Sequence, residues 1–476
     1  MTKKNNIFIV GAGDAALKLL REIKIHKLNY NVVAFIDDDK NKIGKEVKGI
    51  KILGPIENLD QLIKAQSVEE LFIAIPSAQS PLIRKVLLIA RKENIPVKIV
   101  PRTVDVLRGL VRFEQVREIS PQDLLGRPVI KHDLTIASEK FKNKIVLVTG
   151  SAGSIGSELT KQIIIAKPKK IICFDLAETG MFYLENKLKQ YNFKNIEYIM
   201  GSIQDKNKVE EVIKKYKPDV IFHAAAYKHV PLMEKNVVEA IKNNIFGTKN
   251  LIDIGIKYKV KDFVLVSTDK AINPSSVMGA TKRVTEKMMY FYNKKNKITK
   301  FTAVRFGNVL SSNGSVVPLF EDQIKRGGPV VITHPEMVRY FMSIEEASQL
   351  IIQTWALGQK GEIFVLDMGE PIKIRDLAES LIKAYGFIPG QEIKIEFAGK
   401  RSGEKLFEEI SLDKNKVDNT KHSKIFIVKQ EEDFGYDDFY KTIMSLEKRI
   451  LKGQIDNKEA LKYLKKLVPN FKYNYG

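Results

Sequence analysis

One local pattern occurs twice in this chain of 476 residues and limits the folds that it can adopt. In each copy a short apolar strand runs into a glycine-rich turn, an amphipathic helix follows, and a second apolar strand ends in aspartate. The first copy extends from Gly11 to Asp37 and the second from Gly150 to Asp175. Strands that alternate with helices in this way form parallel sheets that are covered by helices. We therefore predict an α/β protein with two doubly wound parallel sheets in separate domains.

The spacing of the predicted elements suggests where the domains begin and end. A weak pattern containing Pro121, Gly126 and Pro128 marks a connection, with a short helix predicted at 121–125. Strict alternation of strands and helices is lost at about residue 310, which indicates a smaller, substrate-facing lobe. The predicted divisions are a Rossmann-like domain at 1–118, a connecting segment at 119–142, a second Rossmann-like domain at 143–430 that includes the lobe at about 310–430, and a helical, lysine-rich segment at 431–476.

The charge balance narrows the possible partners. Lysine and arginine number 79 against 57 aspartate and glutamate residues, a net charge of +22. This excess is compatible with a solvated lysine-rich surface, with contact to acidic lipids, or with nucleic acid. The chain has no arm of consecutive like charges and no nucleic-acid-binding module, so we predict no nucleic-acid partner and keep the first two interpretations open.

Other features of the sequence bear on location and metal chemistry. The single Cys173 excludes a disulfide framework and a cysteine-rich zinc site. No run of about 18 uncharged apolar residues occurs, and no cleavage-site pattern follows the apolar amino-terminal strand. We therefore predict a cytoplasmic protein without a metal site, with peripheral contact to an acidic membrane surface as a further possibility.

The second glycine-rich turn has the form TGxxGxxG at the junction of a strand and a helix. Its glycines allow the backbone to turn tightly and to approach a pyrophosphate, which the free amide groups and the dipole of the helix hold. Asp175, at the end of the next strand, is placed to accept a hydrogen bond from an adenosine ribose hydroxyl, which favours NAD over NADP. The cofactor-binding residues predicted in the turn are Gly150, Gly153, Ser154, Ile155 and Gly156.

The first glycine-rich turn is less complete. Ala16 replaces the third glycine, and three consecutive acids, Asp37 to Asp39, end the next strand. Two interpretations stay open: a ligand-binding site, or a Rossmann-like domain that serves assembly or regulation without a bound dinucleotide.

The most informative segment begins with Ser267, Thr268, Asp269 and Lys270 after an apolar strand and continues with Met278-x-x-x-Lys282 at the start of a helix. This order is that of extended short-chain dehydrogenases, in which a Tyr-x-x-x-Lys pair lies beside the nicotinamide. The four-residue spacing sets both side chains on one face of the helix. A methionine thioether cannot take a proton. Either Met278 fills apolar space in an inactive site, or Asp269 and Lys270 supply the acid and base.

Several motifs together resemble one family. They are TGSAGSIGSEL, STDKAINP, MGATK, RFGNVLSSNGSVVPLF, THPEMVRYFM and RSGEKLFEE. In combination they are similar to those of UDP-N-acetylglucosamine 4,6-dehydratases, and the resemblance extends from about Ile7 to Glu409. Met-x-x-x-Lys resembles the large, configuration-retaining branch, whereas the inverting branch has tyrosine at the first position. The large branch usually carries amino-terminal membrane helices, and this chain departs from it by starting directly at the first Rossmann-like domain.

The resemblance implies a reaction in which tightly bound NAD is recycled. The sugar is oxidised at carbon 4, water is eliminated across carbons 5 and 6, and hydride returns to carbon 6. Lys270 is then the base at carbon 5, provided that the site depresses its pKa, and Asp269 is the acid to the leaving oxygen. Thr268 binds the 4-hydroxyl, and Lys282 holds the nicotinamide ribose. A water held by Thr268 or Asp269 relays the first proton in place of the missing tyrosine.

The resemblance also implies further binding residues and a homo-oligomer. Asp205 corresponds to an acid that contacts adenine, and Ala224, Ala225, Asn244 and His223 correspond to elements around the cofactor, with sheet packing as the alternative for His223. The predicted substrate residues are Asn308, Arg339, Arg401 and Glu404. An arginine fork suits the diphosphate of UDP-N-acetylglucosamine, and surface ion pairing is the alternative for each arginine.

Three alternative functions remain. A 4-epimerase shares the oxidation at carbon 4 but needs no acid to expel a hydroxyl, which the pair Asp269 and Lys270 argues against. An inverting dehydratase is opposed in the sequence only by Met278. A scaffold that binds nucleotide without catalysis is the alternative from a different class.

Overall fold

The computed structural model describes residues 4–78, 80–100, 111, 113, 116–119, 135–358, 361–409, 416–429 and 435–473. The predicted helix at 121–125 lies outside these residues, as does most of the predicted connecting segment. The chain divides into two compact units. Unit 1 contains Met1–Lys131, Gly314–Ile332 and Arg375–Phe397, and unit 2 contains His132–Asn313, Thr333–Ile374 and Ala398–Gly476. Segments of the predicted lobe at 310–430 thus fall in both units.

Unit 1 contains a five-stranded sheet in the order β2-β1-β5-β6-β7. Its pairs are parallel except for β6 and β7, which are antiparallel. The strands are β1 (Asn5–Val10), β2 (Tyr30–Ile36), the hairpin β3 (Glu46–Val47) and β4 (Ile50–Lys51), β5 (Glu70–Ile73), β6 (Val97–Ile99) and β7 (Arg117–Glu118). The helices are α1 (Asp14–Ile25), α2 (Leu59–Gln66) and α3 (Ser80–Lys92).

Unit 2 contains a nine-stranded sheet in the order β10-β9-β8-β11-β12-β13-β18-β22-β21. The first seven strands of this order are parallel, and the last two join antiparallel. The strands are β8 (Ile145–Thr149), β9 (Lys170–Asp175), β10 (Ile196–Met200), β11 (Val220–His223), β12 (Asp262–Val266), β13 (Lys300–Arg305), β18 (Ile363–Leu366), β21 (Val417–Asn419) and β22 (Ile425–Val428).

The remaining elements cover and extend these sheets. Short strands form the pairs β14 (Asn308–Val309) with β17 (Phe341–Met342), β15 (Val330–Ile332) with β20 (Ile395–Phe397), and β16 (Val338–Arg339) with β19 (Ile372–Lys373). The further helices are α4 (Thr135–Phe141), α5 (Ser154–Ile165), α6 (Glu178–Leu188), α7 (Lys206–Tyr216), α8 (Val230–Lys235), α9 (Val237–Ala240), α10 (Thr248–Lys257), α11 (Val277–Lys295), α12 (Val316–Lys325), α13 (Ile344–Leu357), α14 (Ile374–Ala384), α15 (Tyr436–Leu451) and α16 (Asn457–Leu467).

The predicted α/β class with two doubly wound sheets is confirmed. In unit 2 the order of the parallel strands reverses between β8 and β11, which places a topological switch point at their carboxyl ends. Strands such as β11 are buried along their whole length, as parallel strands covered on both faces must be. Among the described residues, no helix is long and apolar enough to cross a membrane.

Helix α11 of unit 2 is buried along most of its length. Every residue from 277 to 292 is buried, and the helix contacts both β13 and α16. A helix buried on all sides must satisfy its polar side chains inside the protein, because water cannot reach them. Its four buried charged residues, Lys282, Arg283, Glu286 and Lys287, therefore determine much of the chemistry described next.

Candidate active site

The glycine-rich turn after β8 packs backbone against backbone. Gly150 has φ +68°, and a Cβ built on it would lie 2.5 Å from the backbone nitrogen of Ala225. A Cβ on Gly156 would lie 2.0 Å from the carbonyl oxygen of Gly150. Helix α5 begins directly after Gly153, so its first amide groups lie beside this turn. The structure thus brings the predicted residues Gly150, Gly156 and Ala225 together, with space that only glycine leaves open.

Asp175 holds the same turn by hydrogen bonds. The backbone amide of Ala152 donates to its Oδ2 and the amide of Ala177 to its Oδ1, both at 2.9 Å. Each oxygen has a further lone pair that is available to a ribose hydroxyl. The carboxylate therefore links the glycine turn after β8 to the end of β9.

Unit 1 repeats this arrangement with one difference. The amide of Ala12 donates to Oδ2 of Asp37 at 2.7 Å, and the Lys42 ammonium lies 3.2 Å from the same oxygen. Burial opposes the charge on Asp37, but the backbone amides of Asp39 and Ala12 and the charge of Lys42 outweigh it and lower the pKa of this carboxyl. Lys42 thus pairs with the same carboxylate oxygen of Asp37 that accepts the Ala12 amide. Whether this turn holds a ligand stays an open prediction.

The predicted residues around the cofactor loop have structural partners. Asp205 caps helix α7 by accepting the amide of Lys208 at 3.0 Å. Asn244 accepts the amide of Tyr227 at 2.8 Å and donates to the carbonyl oxygen of Tyr227 and to Thr281 Oγ1, both at 3.0 Å. Asn244 therefore ties the loop after β11, which contains Ala224 and Ala225, to helix α11.

His223 packs inside the sheet rather than facing the loops. Its Nε2 and Nδ1 each lie 2.8 Å from a hydroxyl, Thr248 Oγ1 and Thr149 Oγ1 respectively. Thr248 donates its own proton to the carbonyl oxygen of Asn244 at 2.6 Å, so Nε2 must be the donor of the histidine and Nδ1 the acceptor. Burial lowers the pKa of His223 well below its ordinary value. The neutral ring thus satisfies the sheet-packing alternative.

Asp269, which is buried, and Lys270, which is partly buried, form an ion pair after the end of β12. The Lys270 ammonium donates to Asp269 Oδ1 at 3.1 Å and to Asn308 Oδ1 at 3.0 Å. Thr268 Oγ1 also donates to Asp269 Oδ1, at 2.9 Å. Asp269 is 1% exposed, and its Oδ2 has no hydrogen-bond partner among the described residues. The structure therefore joins the predicted residues Thr268, Asp269, Lys270 and Asn308 in one network.

Lys270 can act as the base only if its pKa is depressed, and the structure does not meet this condition. Burial disfavours its charge, but the carboxylates of Asp269 and Glu408 outweigh burial and raise the pKa of Lys270. A second carboxylate, Glu408, lies 3.6 Å from the ammonium and adds to the effect of Asp269, and the sequence does not show this contact. Lys270 is protonated at neutral pH here.

Helix α11 lies directly against this pair. Ser276 caps the helix by accepting the amide of Gly279 at 3.1 Å. A Cβ on Gly279 would lie 2.2 Å from the carbonyl oxygen of Lys270, so glycine is required for this close approach. Met278, on the first turn, is 5% exposed and belongs to an apolar cluster. Sequence analysis missed Gly279, although it stands inside the MGATK motif.

Lys282 lies one turn after Met278, and its ammonium has no hydrogen-bond or ion-pair partner among the described residues. Burial lowers the pKa of Lys282 to about 8, and the charge of Glu286 only partly opposes this. A buried ammonium without a partner is costly, which makes Lys282 a candidate for contact with a ligand.

We expect replacement of this lysine to stabilise the protein at neutral pH. The pKa of Lys282 is about 8 in the folded chain and 10.5 in its ordinary range, so burial of the charge costs about 3 kcal/mol below pH 8. The unfolded chain binds the extra proton between these values, so the cost falls as pH rises and vanishes above 10.5. Thermal denaturation of Lys282→Met should show a gain at pH 7 that shrinks by more than half at pH 9.5. The exposed Lys295→Met on the same helix is the control, and an equal gain in both variants would contradict the prediction.

A second buried ion network lies beneath the pair. Glu286 is 0% exposed and accepts two hydrogen bonds of 2.7 Å from Arg305, one of 3.1 Å from Arg283 and one of 2.7 Å from Ser267. Burial opposes its charge, but the two arginines outweigh it and lower the pKa of Glu286. The network joins helix α11 to the ends of β12 and β13. Sequence analysis missed it; the only signal is the spacing of Arg283 and Glu286 by three residues on a helix.

The predicted substrate residues divide into two groups. Arg339 is 8% exposed and gives its donors to backbone carbonyls, those of Val338 at 2.7 Å, Leu406 at 3.1 Å and Lys405 at 2.8 Å. It braces the chain at 405–406. Arg401 is exposed, and its side chain has no partner among the described residues. Glu404 accepts the backbone amide of Arg401 at 3.2 Å. Arg401 is thus the arginine that remains available to a diphosphate.

Comparisons with known proteins identify the family of this chain. Residues 146–430 match the model of a family described as polysaccharide biosynthesis protein, and residues 1–101 match that of a CoA-binding domain. The capsular polysaccharide biosynthesis protein CapD of Staphylococcus aureus is 43% identical over 419 residues, which cover 87% of this chain and 70% of CapD. The chain belongs to the polysaccharide biosynthesis protein family. The part that matches this family model contains the glycine turn, the ion pair and helix α11.

Two further similar proteins have a stated activity or a solved structure. A UDP-N-acetylglucosamine 4,6-dehydratase (inverting) of Campylobacter jejuni is 37% identical over 272 residues, which cover 56% of this chain and 77% of that enzyme. The X-ray structure of Pen from Bacillus thuringiensis has a TM-score of 0.56 and 34% identity, and covers 64% of this chain and 98% of Pen. Unit 2 has the Rossmann-type fold of extended short-chain dehydrogenases. Among the residues that the structure describes, no group of three histidine, cysteine or acidic side chains could hold a metal ion.

Proposed function

We propose that this member of the polysaccharide biosynthesis protein family is a retaining, NAD-dependent UDP-N-acetylglucosamine 4,6-dehydratase. Its product is the UDP-linked 4-keto-6-deoxy sugar. The observation that carries the proposal is the ion pair of the buried Asp269 and the partly buried Lys270, whose Oδ1 and Nζ atoms lie 3.1 Å apart. It is joined by Lys282, whose ammonium has no partner among the described residues, and by methionine at position 278. An elimination needs an acid and a base next to each other, and an oxidation alone does not.

The residues of unit 2 fit a dinucleotide. The close approach of Gly150 and Gly156 to the backbone leaves room for a pyrophosphate at the start of α5, where the helix dipole favours negative charge. Asp175 supplies an acceptor for a ribose hydroxyl, and the ammonium of Lys282 supplies a donor for the other ribose. NAD, when bound, accepts the hydride from carbon 4 and returns it at carbon 6. The positive charge of Lys282 favours this oxidation.

The pair of Asp269 and Lys270 carries one shared proton. In the structure that proton is on Lys270, whose ammonium donates a hydrogen bond to Asp269. Transfer of the proton along this bond gives a neutral amine and a protonated carboxyl, which are the base at carbon 5 and the acid at the departing 6-hydroxyl. The amine takes the carbon 5 proton, and the carboxyl gives its own to the departing 6-hydroxyl, which leaves as water, so the pair ends the elimination with one proton, as it began. The 4-hydroxyl proton passes to solvent through a water held by Thr268 or Asp269. When hydride arrives at carbon 6, the Lys270 ammonium returns a proton to carbon 5, and the pair regains its proton from solvent. Thr268, hydrogen-bonded to Asp269, is placed to bind the 4-hydroxyl.

Substrate binding is assigned to the loops that follow. Asn308, whose Oδ1 accepts a hydrogen bond from Lys270, presents its amide to the sugar. Arg401 is exposed to solvent at the edge of the site, and Glu404 accepts its backbone amide. An arginine without protein partners suits a diphosphate. Arg339 supports this loop through its backbone carbonyls instead of contacting the diphosphate itself.

Proton NMR of the purified protein with UDP-N-acetylglucosamine in deuterated water, without added NAD, tests the proposal. We expect a 6-deoxy-4-keto sugar with deuterium at carbon 5 and with couplings that show the retained configuration. Inverted couplings would replace retention by inversion, and a galacto-configured product would replace dehydration by 4-epimerisation. No change in the sugar, even with NAD supplied, would leave the nucleotide-binding scaffold as the function.

A further inference from the structure

Glu408 is a buried carboxylate that the proposed roles leave unused. Its side chain is 3% exposed, and its Oε1 lies 3.6 Å from the Lys270 ammonium. Its Oε2 is buried and has no hydrogen-bond partner among the described residues. A carboxylate in such a place is expensive to keep charged, so its proximity to Lys270 requires an explanation.

Hydrogen bonds hold the segment that precedes Glu408 in place. Arg339 donates to the carbonyl oxygens of Lys405 and Leu406, and the Lys405 ammonium donates to the carbonyl oxygen of Ile272 at 2.9 Å. These bonds fix the segment before Glu408 against the turn that follows Lys270. The position of Glu408 is therefore set by a framework that does not depend on its own charge.

The charge of Arg339 does not explain why a carboxylate lies at position 408. The distance from its Oε1 to Arg339 Nη2 is 4.0 Å, longer than the 3.6 Å to Lys270. The guanidinium already donates to three backbone carbonyls, which leaves Lys270 as the nearer cation. The charged groups that act on Lys270 are Asp269, Glu408 and Arg339, and the two carboxylates outweigh the arginine.

We propose that Glu408 is a positioning residue that keeps the shared proton on the Asp269–Lys270 pair until substrate binds. Its negative charge stabilises the ammonium without forming the short bond that Asp269 forms. The pair therefore holds its one proton more tightly before the reaction. The relevance of this proton to turnover rests on the proposed function, whereas the charge relation between Glu408 and Lys270 does not.

Competitive labelling of the protein with acetic anhydride tests the charge relation without turnover. Only a neutral amine reacts, so peptide mass spectrometry at pH 9 reports the neutral fraction of Lys270. We expect Lys270 of Glu408→Gln to react about tenfold faster than in the wild type, with Glu408→Asp within about threefold of it. The neighbouring, half-exposed Glu409→Gln is the control and should match the wild type. Equal rates in Glu408→Gln and the wild type would overturn the proposal.

Two further measurements keep the test decisive. If Glu408→Gln does not fold, wild-type labelling between pH 8 and pH 11.5 serves instead, and half-maximal reaction of Lys270 at or below that of exposed lysines would overturn the proposal. If the wild type dehydrates UDP-N-acetylglucosamine, the alkaline loss of kcat/KM should move to lower pH by about one unit in Glu408→Gln, with KM unchanged. A wild type without turnover refutes the proposed function but leaves the labelling result valid.

Discussion

Asp269→Asn is expected to reduce kcat by about three orders of magnitude while the protein keeps its fold and its nucleotide. The amide preserves the acceptor for Thr268 and Lys270, at 2.9 and 3.1 Å, but it cannot carry the proton that the elimination needs. Loss of a positioned acid or base costs about 10²–10⁴-fold. Turnover is measured by the same NMR assay, and nucleotide content by its absorbance after denaturation.

The pair makes a second, sharper expectation possible. Because Asp269 and Lys270 act as one unit, the double variant Asp269→Asn, Lys270→Ala should lose little more activity than the worse single variant. Asp418→Asn, an exposed acid paired with Lys429, is the matched control and should retain full activity. Unchanged turnover in the double variant would refute the roles given to the pair.

Glu286→Gln is expected to destabilise the protein by about 3–5 kcal/mol. The substitution keeps the size of the side chain but leaves the buried guanidinium groups of Arg305 and Arg283 without a counter-charge. Removing one member of a buried ion network is costly because water cannot replace it. The loss is measured as a fall in the thermal denaturation midpoint, followed by circular dichroism.

Two comparisons separate this explanation from a general sensitivity to substitution. Glu197→Gln removes a partly exposed partner of Lys170, 2.9 Å away, and should cost less than about 1 kcal/mol. Replacing the whole network by Glu286→Leu, Arg283→Met and Arg305→Met should recover most of the loss, since no charge of this network then remains buried. A triple variant that is no more stable than Glu286→Gln would contradict the electrostatic explanation.

The prediction of the fold succeeded because its signals are local. Each glycine-rich turn stands between an apolar strand and an amphipathic helix, and each following strand ends in the aspartate that holds the turn, Asp37 or Asp175. Parallel strands are buried on both faces, so their residues form continuous apolar runs that can be read from the sequence. The motif from Thr268 to Lys270 follows such an apolar run, that of β12, so its place at a strand end could also be predicted. The domain boundaries, the homo-oligomer, the cytoplasmic location and any membrane contact remain predictions.

Charge states and side-chain partners were decided by the tertiary structure alone. Asp269, the sequence neighbour of Lys270, raises the pKa of that lysine, and Glu408, far away in the chain, adds to this effect from 3.6 Å. Arg339 became a brace because the carbonyls of a distant loop came within its reach.

The sequence by itself determined which segments form the sheets and which residues stand at their carboxyl ends, because strand length, glycine turns and apolar runs are properties of neighbouring residues. Only the tertiary structure decided which of those residues are charged, paired or free. Burial and Coulomb energies depend on distances between segments that are remote in the chain, and a sequence contains no such distances.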